Sequence, residues 1–178
     1  MKKLKFKHNL VILLFAFALY SCGNNEPATP INAEQFSKLY ENKENSNKRF
    51  SITGFPFLDK DVTVRNNMKI SVSIYSEANG KGENIASVNM RYKEYKNGMY
   101  IPDNFTAEDL QIFDNEGNQF GVNDKITVSF TMDLNTNRPP SKERTSMGKV
   151  NGKMQKIIIP AQYYGNGPKN LKIEKSKE

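Results

Sequence analysis

Histidine and cysteine are almost missing from this chain, and tryptophan is missing altogether. Its 178 residues include one His, one Cys and no Trp. The histidine is His8 and the cysteine is Cys22, so everything beyond residue 22 lacks both imidazole and thiol. That excludes Ser-His-Asp and Cys-His nucleophile systems from the body of the chain. It also excludes His-ligated zinc or copper, thiol redox chemistry and internal disulfides. Carboxylates, Lys, Tyr, Ser or a carboxylate-held metal remain as possible chemistry; no cofactor and no metal site is expected. Long apolar runs are scarce too. The longest, residues 10–20 (LVILLFAFALY), has 11 residues, against about 20 for a membrane-spanning helix.

What stands around that run is informative. Lys2, Lys3, Lys5 and Lys7 precede it with no acid among them. A basic start followed by an apolar core of about 7–15 residues is the pattern of an export signal. The run ends in Leu19-Tyr20-Ser21-Cys22. That ending resembles the lipobox of bacterial lipoprotein precursors. The resemblance implies cleavage before Cys22, a diacylglyceryl group on its sulfur, and attachment to a membrane through that lipid. Two or more acyl chains anchor stably where one does not. Gly23 stands where an Asp would imply retention at the inner membrane, so the resemblance points to the outer membrane of a Gram-negative cell. Residues 1–21 are thus expected to be a signal peptide. Residues 22–31, polar and bearing Pro27 and Pro30, are expected to be a flexible tether.

Removing 21 residues from 178 leaves 157, and removing the four lysines takes the formal charge from +7 to +3. A chain so weakly basic gives no reason to expect nucleic acid as a partner. Its length suits one domain that needs no disulfide staples.

Residues 32–46 (NAEQFSKLYENKENS) read as one amphipathic helix. Asn32 is the N-cap, Gln35 completes a capping box, and Phe36, Leu39 and Tyr40 share a face. From Arg49 the period becomes two. Phe50 and Ile52; Met68, Ile70, Val72 and Ile74; Ala86, Val88 and Met90; and Ile126, Val128, Phe130, Met132 and Leu134 each alternate with polar residues. This predicts antiparallel strands with one buried and one wet face, at about 49–58, 66–76, 84–93 and 124–134. The apolar run KIIIPAQY suggests a fifth strand at 154–163, leaving 165–178 as a loose tail. Residues 77–84 (EANGKGEN) read as a hairpin loop. Residues 114–118 (DNEGN) read as a tight turn with Gly117 left-handed. Calcium is the competing reading there, through Asp114, Glu116, Asn118 and Asp124. The glycine comes fourth, where an EF-hand loop needs it sixth, so the turn is preferred.

Tyr40, Asn42 and Glu44, then Ile52 to Gly54, then Asn123 to Val128, resemble the short motifs of bacterial OB-fold proteins of the tRNA-anticodon-binding-like type. The resemblance covers about residues 32–163 and implies a mainly β fold: a small five-stranded Greek-key barrel with one N-terminal helix, a β domain spanning 32–164. Gly54 suits the bend such a barrel needs in its first strand, and Pro56 is expected to break or bulge that strand. The stretch 105–122 would insert a hairpin where OB folds carry a helix, with AEDLQIF as one helical turn. The competing arrangement is an immunoglobulin-like sandwich of about seven strands.

OB folds bind ligands on the face of strands two and three and in the one–two and four–five loops. That mapping gives Lys69, Tyr75 and Arg91 as barrel-face contacts, with Ser71, Ser73 and Asn89 between them. The four–five loop concentrates Arg138, Lys142, Arg144 and Lys149 against Glu143 alone, a candidate anion site. Tyr92, Tyr95, Tyr100 and Phe105 are either a sugar-stacking platform or core aromatics. Asp59, Asp61, Glu108 and Asp109 are the loop carboxylates. The expected role is a non-catalytic binding or interaction module of the cell envelope, its partner an envelope protein or an acidic glycan. The alternative is a carboxylate-dependent hydrolase of envelope glycans, which would require two carboxylates facing each other about 5–10 Å apart.

Overall fold

The computed structural model describes residues 27–59, 68–150 and 153–177. The leader, the first half of the expected tether with Cys22, and Asp61 lie outside the described residues. Among them no helix is long and apolar enough to cross a membrane.

The chain is mainly β. A two-residue strand β1 (Thr29–Pro30) leads into helix α1 (Ala33–Ser37), followed by β2 (Arg49–Phe57), β3 (Lys69–Glu77) and β4 (Lys81–Arg91). Three short strands come next: β5 (Gly98–Tyr100), β6 (Gln111–Phe113) and β7 (Gln119–Phe120). Then come β8 (Ile126–Leu134), β9 (Arg144–Val150), β10 (Lys153–Ile159) and β11 (Gly165–Lys175).

The helix begins where the capping box predicts. Gln35 N–H donates to Asn32 Oδ1 at 2.9 Å, and Asn32 N–H donates to Gln35 Oε1 at 3.0 Å. It does not run to residue 46. It ends at Ser37 and gives way to 3-10 turns at Leu39–Glu41 and Lys43–Asn45. The reason is local: Asn42 starts a new cap, accepting from Glu44 N–H at 2.9 Å, and Asn45 Nδ2 donates to the Leu39 carbonyl at 3.0 Å. The apolar stripe nevertheless acts as expected. Leu39 is buried, and Phe36 meets Phe130 edge-on with ring centres 5.9 Å apart.

The main sheet runs in the order β11-β8-β2-β3-β4, with β1 parallel to β2. In strand-count terms this is five-four-one-two-three, antiparallel throughout. Among the described residues no ladder joins β4 to β11, so the path is open. Strand β2 serves two neighbours in turn. Arg49 to Gly54 pair with β8, and Phe55 to Phe57 pair with β3. The hand-over falls at Gly54, where a Cβ would press on the Tyr75 carbonyl and lie 2.8 Å from Ile74 Cγ2. Pro56 neither breaks nor bulges the strand; it pairs with Ile74. Past Gly54 the strand has a ladder on one side only, and such an edge tolerates a missing N–H.

The alternating residues fill one core: Ile52, Ile70, Val72, Ile74, Val88, Met90, Ile126, Val128, Phe130 and Met132. Between β3 and β4, Asn79 and Gly80 both take positive φ (59° and 68°), and Lys81 N–H donates to the Ala78 carbonyl. This is the Asn-Gly turn whose twist matches a hairpin. Between β4 and β8, β5-β6-β7 form a small antiparallel sheet, with a 3-10 turn at Ala107–Asp109. The hairpin expected there is present, with β5 added to it, while the helical turn covers only Ala107–Asp109 of AEDLQIF because Gln111–Phe113 is β6.

The fifth strand is a correction. Among the described residues, 153–159 pair only with β9, in a separate hairpin, and do not join the main sheet. The place beside β8 is taken by β11, the segment read from sequence as a loose tail. Its hold is specific. Ile173 is fully buried, its N–H donates to Asn97 Oδ1 at 2.8 Å, and Asn166 and Lys169 both reach the Asp133 carboxylate. Two register shifts and a close pass of Gly167 by the Tyr40 hydroxyl hide this strand's period in the sequence.

Ile173→Ala is therefore expected to cost about 2–5 kcal/mol of stability in urea unfolding. Deleting residues 165–178 is expected to abolish the cooperative transition. A truncated chain with an unchanged midpoint would show that β11 does not belong to the fold.

Candidate binding face

The outer face of β3 and β4 is polar along its length. Ile70, Val72 and Ile74 turn inward, so Lys69, Ser71, Ser73 and Tyr75 turn outward. The ladder sets them against Arg91, Asn89, Ser87 and Asn84 respectively. The sequence-predicted contacts Lys69, Tyr75 and Arg91 do share this face, at two different ends. Tyr75 lies six positions beyond Lys69, about 20 Å along an extended strand.

At the Tyr75 end the face is closed by its own hydrogen bonds. Leu58 is buried in the core, which brings the next residue, Asp59, over the sheet. Tyr75 Oη donates to Asp59 Oδ1 at 2.5 Å, and Ser73 Oγ donates to Asp59 Oδ2. Ser73 also meets Ser87 Oγ at 3.2 Å and accepts from Asn84 Nδ2 at 3.3 Å. The bond to Asp59 raises the pKa of the Tyr75 phenol, with a smaller push from burial. Its ring stands edge-on to Phe57, 6.1 Å between centres. Sequence reasoning named Asp59 only as a loop carboxylate. Nothing in the spacing announces that the β2–β3 connection lays it on Ser73.

At the other end Lys69 and Arg91 face each other directly. Like charges opposed across a ladder are destabilising. Glu94 lies 3.9 Å from Arg91 on the exposed surface, a distance at which an ion pair contributes little. Among the described residues no acid pairs with Lys69. The turn after Arg91 carries the aromatic residues. Tyr92 is buried and donates to the Ile101 carbonyl, so it is core. Its ring is parallel to Tyr100 at 6.1 Å, and Tyr95 lies 6.2 Å from Tyr100 and edge-on to Phe113 at 5.1 Å. Tyr95 itself is 54% exposed. Phe105 packs against the core.

The four basic residues of the β8–β11 connection are strung out rather than gathered. Arg138 lies over the Tyr164 ring, 5.1 Å from its centre. Lys142 is exposed before the hairpin, Arg144 opens β9 opposite Ile159, and Lys149 stands near the far end, opposite Met154.

Asp109, Asp124 and Asp114 are engaged in their own turns, and Glu108 lies exposed in the 3-10 turn beside Asp109. Asp109 accepts from Thr106 N–H at 2.7 Å and Thr106 Oγ1 at 2.9 Å, and those bonds lower its pKa. Asp124 accepts from Gly121 N–H at 2.8 Å. Asp114 organises the 114–118 turn. Its Oδ1 accepts from the Glu116 and Asn118 amides, and its Oδ2 from Asn118 Nδ2, all at 2.8 Å. Gly117 sits at φ 93°, as the turn reading requires. Among the described residues no group of three acidic, His or Cys side chains is placed to hold a metal.

Burial pushes the Asp114 carboxyl up, and the bonds from Asn118, Glu116 and Gly117 outweigh it, leaving the pKa below the ordinary value. A lowered carboxyl contributes stability above its unfolded pKa, about 3.9, and loses it as pH falls through the folded pKa. Asp114→Ala is thus expected to cost about 1–3 kcal/mol at neutral pH. The gap from wild type should narrow in acid, as read by urea unfolding at a series of pH values. A gap independent of pH would contradict this assignment.

Comparison of the chain with protein-family models, with curated proteins and with solved structures finds no match in any of the three.

Proposed function

We propose that this chain is a lipid-anchored protein of the bacterial cell envelope, held at the outer membrane through Cys22. Its OB-type β domain is a non-catalytic module that binds an acidic glycan on the outer face of β3 and β4. The observation that carries the reading is the opposed pair Lys69 and Arg91. Two cations placed together, with no strong partner among the described residues, carry an electrostatic cost, which a carboxylate or sulfate on a ligand relieves. The surroundings suit a saccharide. Ser71 and Asn89 continue the face beside the pair with neutral donors and acceptors. The exposed ring of Tyr95, in the turn directly after Arg91, offers a flat apolar surface for sugar C–H groups. The lipid anchor is supported by the lysine-rich start, the short apolar run and the Leu19-Tyr20-Ser21-Cys22 ending.

Titration with oligogalacturonate, followed by amide chemical shifts, tests the glycan reading. Shifts are expected at Lys69, Ser71, Asn89, Arg91 and Tyr95. A Lys69→Glu/Arg91→Glu protein should bind at least about tenfold more weakly, a loss of about 1.4 kcal/mol. Unchanged affinity in that variant sinks the glycan reading. Intact mass of the envelope-purified product tests the anchor: residues 1–21 should be gone and Cys22 should carry acyl chains.

A further inference from the structure

The β9–β10 hairpin stands apart from the main sheet among the described residues. Its strands pair only with each other. A lone two-stranded hairpin is marginal in water. Cross-strand partners share a face, so Met147 with Lys156 and Thr145 with Ile158 lie on one side. Met154 lies there too, two residues from Lys156. The other side carries Ile157, whose side chain covers Gly148, with Ile159 and Gln155. On the first side Met147, Met154 and Ile158 are 60%, 63% and 68% exposed. They are three of the five large hydrophobic residues most exposed among the described residues, and the other two are tyrosines.

The segment that carries the hairpin is also basic. The connection 135–164 holds six basic residues, Arg138, Lys142, Arg144, Lys149, Lys153 and Lys156, and one acid, Glu143. That is a net +5, so the rest of the chain after residue 21, whose total is +3, carries −2. The arm is basic on a body that is slightly acidic.

We propose that the Met147–Met154–Ile158 face of this hairpin docks on anionic lipid headgroups, laying its aliphatic side chains into the bilayer interface. A second copy of the chain is a poor occupant, because two arms of +5 repel each other. A soluble glycan would neutralise the lysines and leave the aliphatics in water. An anionic bilayer satisfies both, since apolar side chains enter the headgroup boundary while Lys and Arg meet lipid phosphates. The inference rests on the envelope reading only for the nearness of a bilayer. Residues 22–28 could extend no more than about 25 Å between the anchor and Thr29, which keeps the domain at the surface.

The absence of tryptophan makes a clean test. Full-length chain carrying Ile158→Trp is mixed with vesicles of phosphatidylcholine alone, or of phosphatidylcholine with one part in three phosphatidylglycerol. Emission should move to shorter wavelength with the anionic vesicles, and much less with the neutral ones. Gln155→Trp, on the opposite side, should hold its emission. Adding Lys156→Glu to the Ile158→Trp chain should raise the lipid needed for half the change about tenfold or more. Met154→Trp serves as a second reporter if Ile158→Trp alters the thermal melt. Unchanged emission at 158 and 154, equal shifts at 155 and 158, equal shifts with both vesicles, or a shift with heparin and none with vesicles would each overturn the proposal. The readout is independent of the anchor. A shift in a chain whose Cys22 proves unmodified upholds the hairpin and removes the lipid anchor, and a lipidated Cys22 with silent reporters does the reverse.

Discussion

Gly54 lets β2 belong to two neighbours, and the architecture follows from that. A strand held flat between two partners along its whole length would have β8 and β3 on opposite edges of an extended sheet. Here the N-terminal part of β2 pairs with β8 and its last three residues pair with β3. The change of partner demands that the β2 backbone come close to Tyr75 and Ile74, where any side chain would collide. Glycine in a strand weakens it through entropy and lost packing. That cost is offset because the bend turns the inward residues of β3, β4 and β8 onto a single core. It also fixes which residues of β3 and β4 remain outside, where the β3–β4 ladder sets Lys69 opposite Arg91.

The period-two segments were readable because burial on one face imposes a visible alternation, and four of the five main strands fall within a few residues of their sequence positions. The capping box at Asn32 and the left-handed Gly117 were readable for the same reason: each is a short-range geometry written in adjacent residues. The fifth strand was not. Its only fully buried side chain is Ile173, and beyond its ladder with β8 its side-chain hydrogen bonds run to Asn97 and Asp133, which are distant in sequence. Hydrophobicity misled in the other direction as well. The Ile157-Ile158-Ile159 run looks like a core strand, yet it lies in a hairpin that the sheet never covers. The predicted face residues were legible once the inward residues were known. The Asp59 network was not, because it depends on where a connection lands.

The two proposed surfaces divide the molecule by chemistry. The β3–β4 face offers two opposed cations among hydroxyls and amides, beside an open tyrosine ring. The β9–β10 arm offers aliphatic side chains among lysines and arginines. The first matches a hydrated, acidic ligand with hydroxyl groups, and the second matches an interface that is apolar within and negative at its surface. Both occupy connections or outer faces and leave the core untouched, so the scaffold holds them without depending on them.

Native-state amide hydrogen exchange on Gly54→Ala measures the central constraint most directly. If β2 couples the two halves of the sheet through the close approach at residue 54, protection should fall together in β3–β4 and in β8–β11. The global stability should drop by about 1–3 kcal/mol, as for an overpacked core site. Protection lost only in residues 54–57, with the remaining ladders exchanging as in the wild type, would contradict the account.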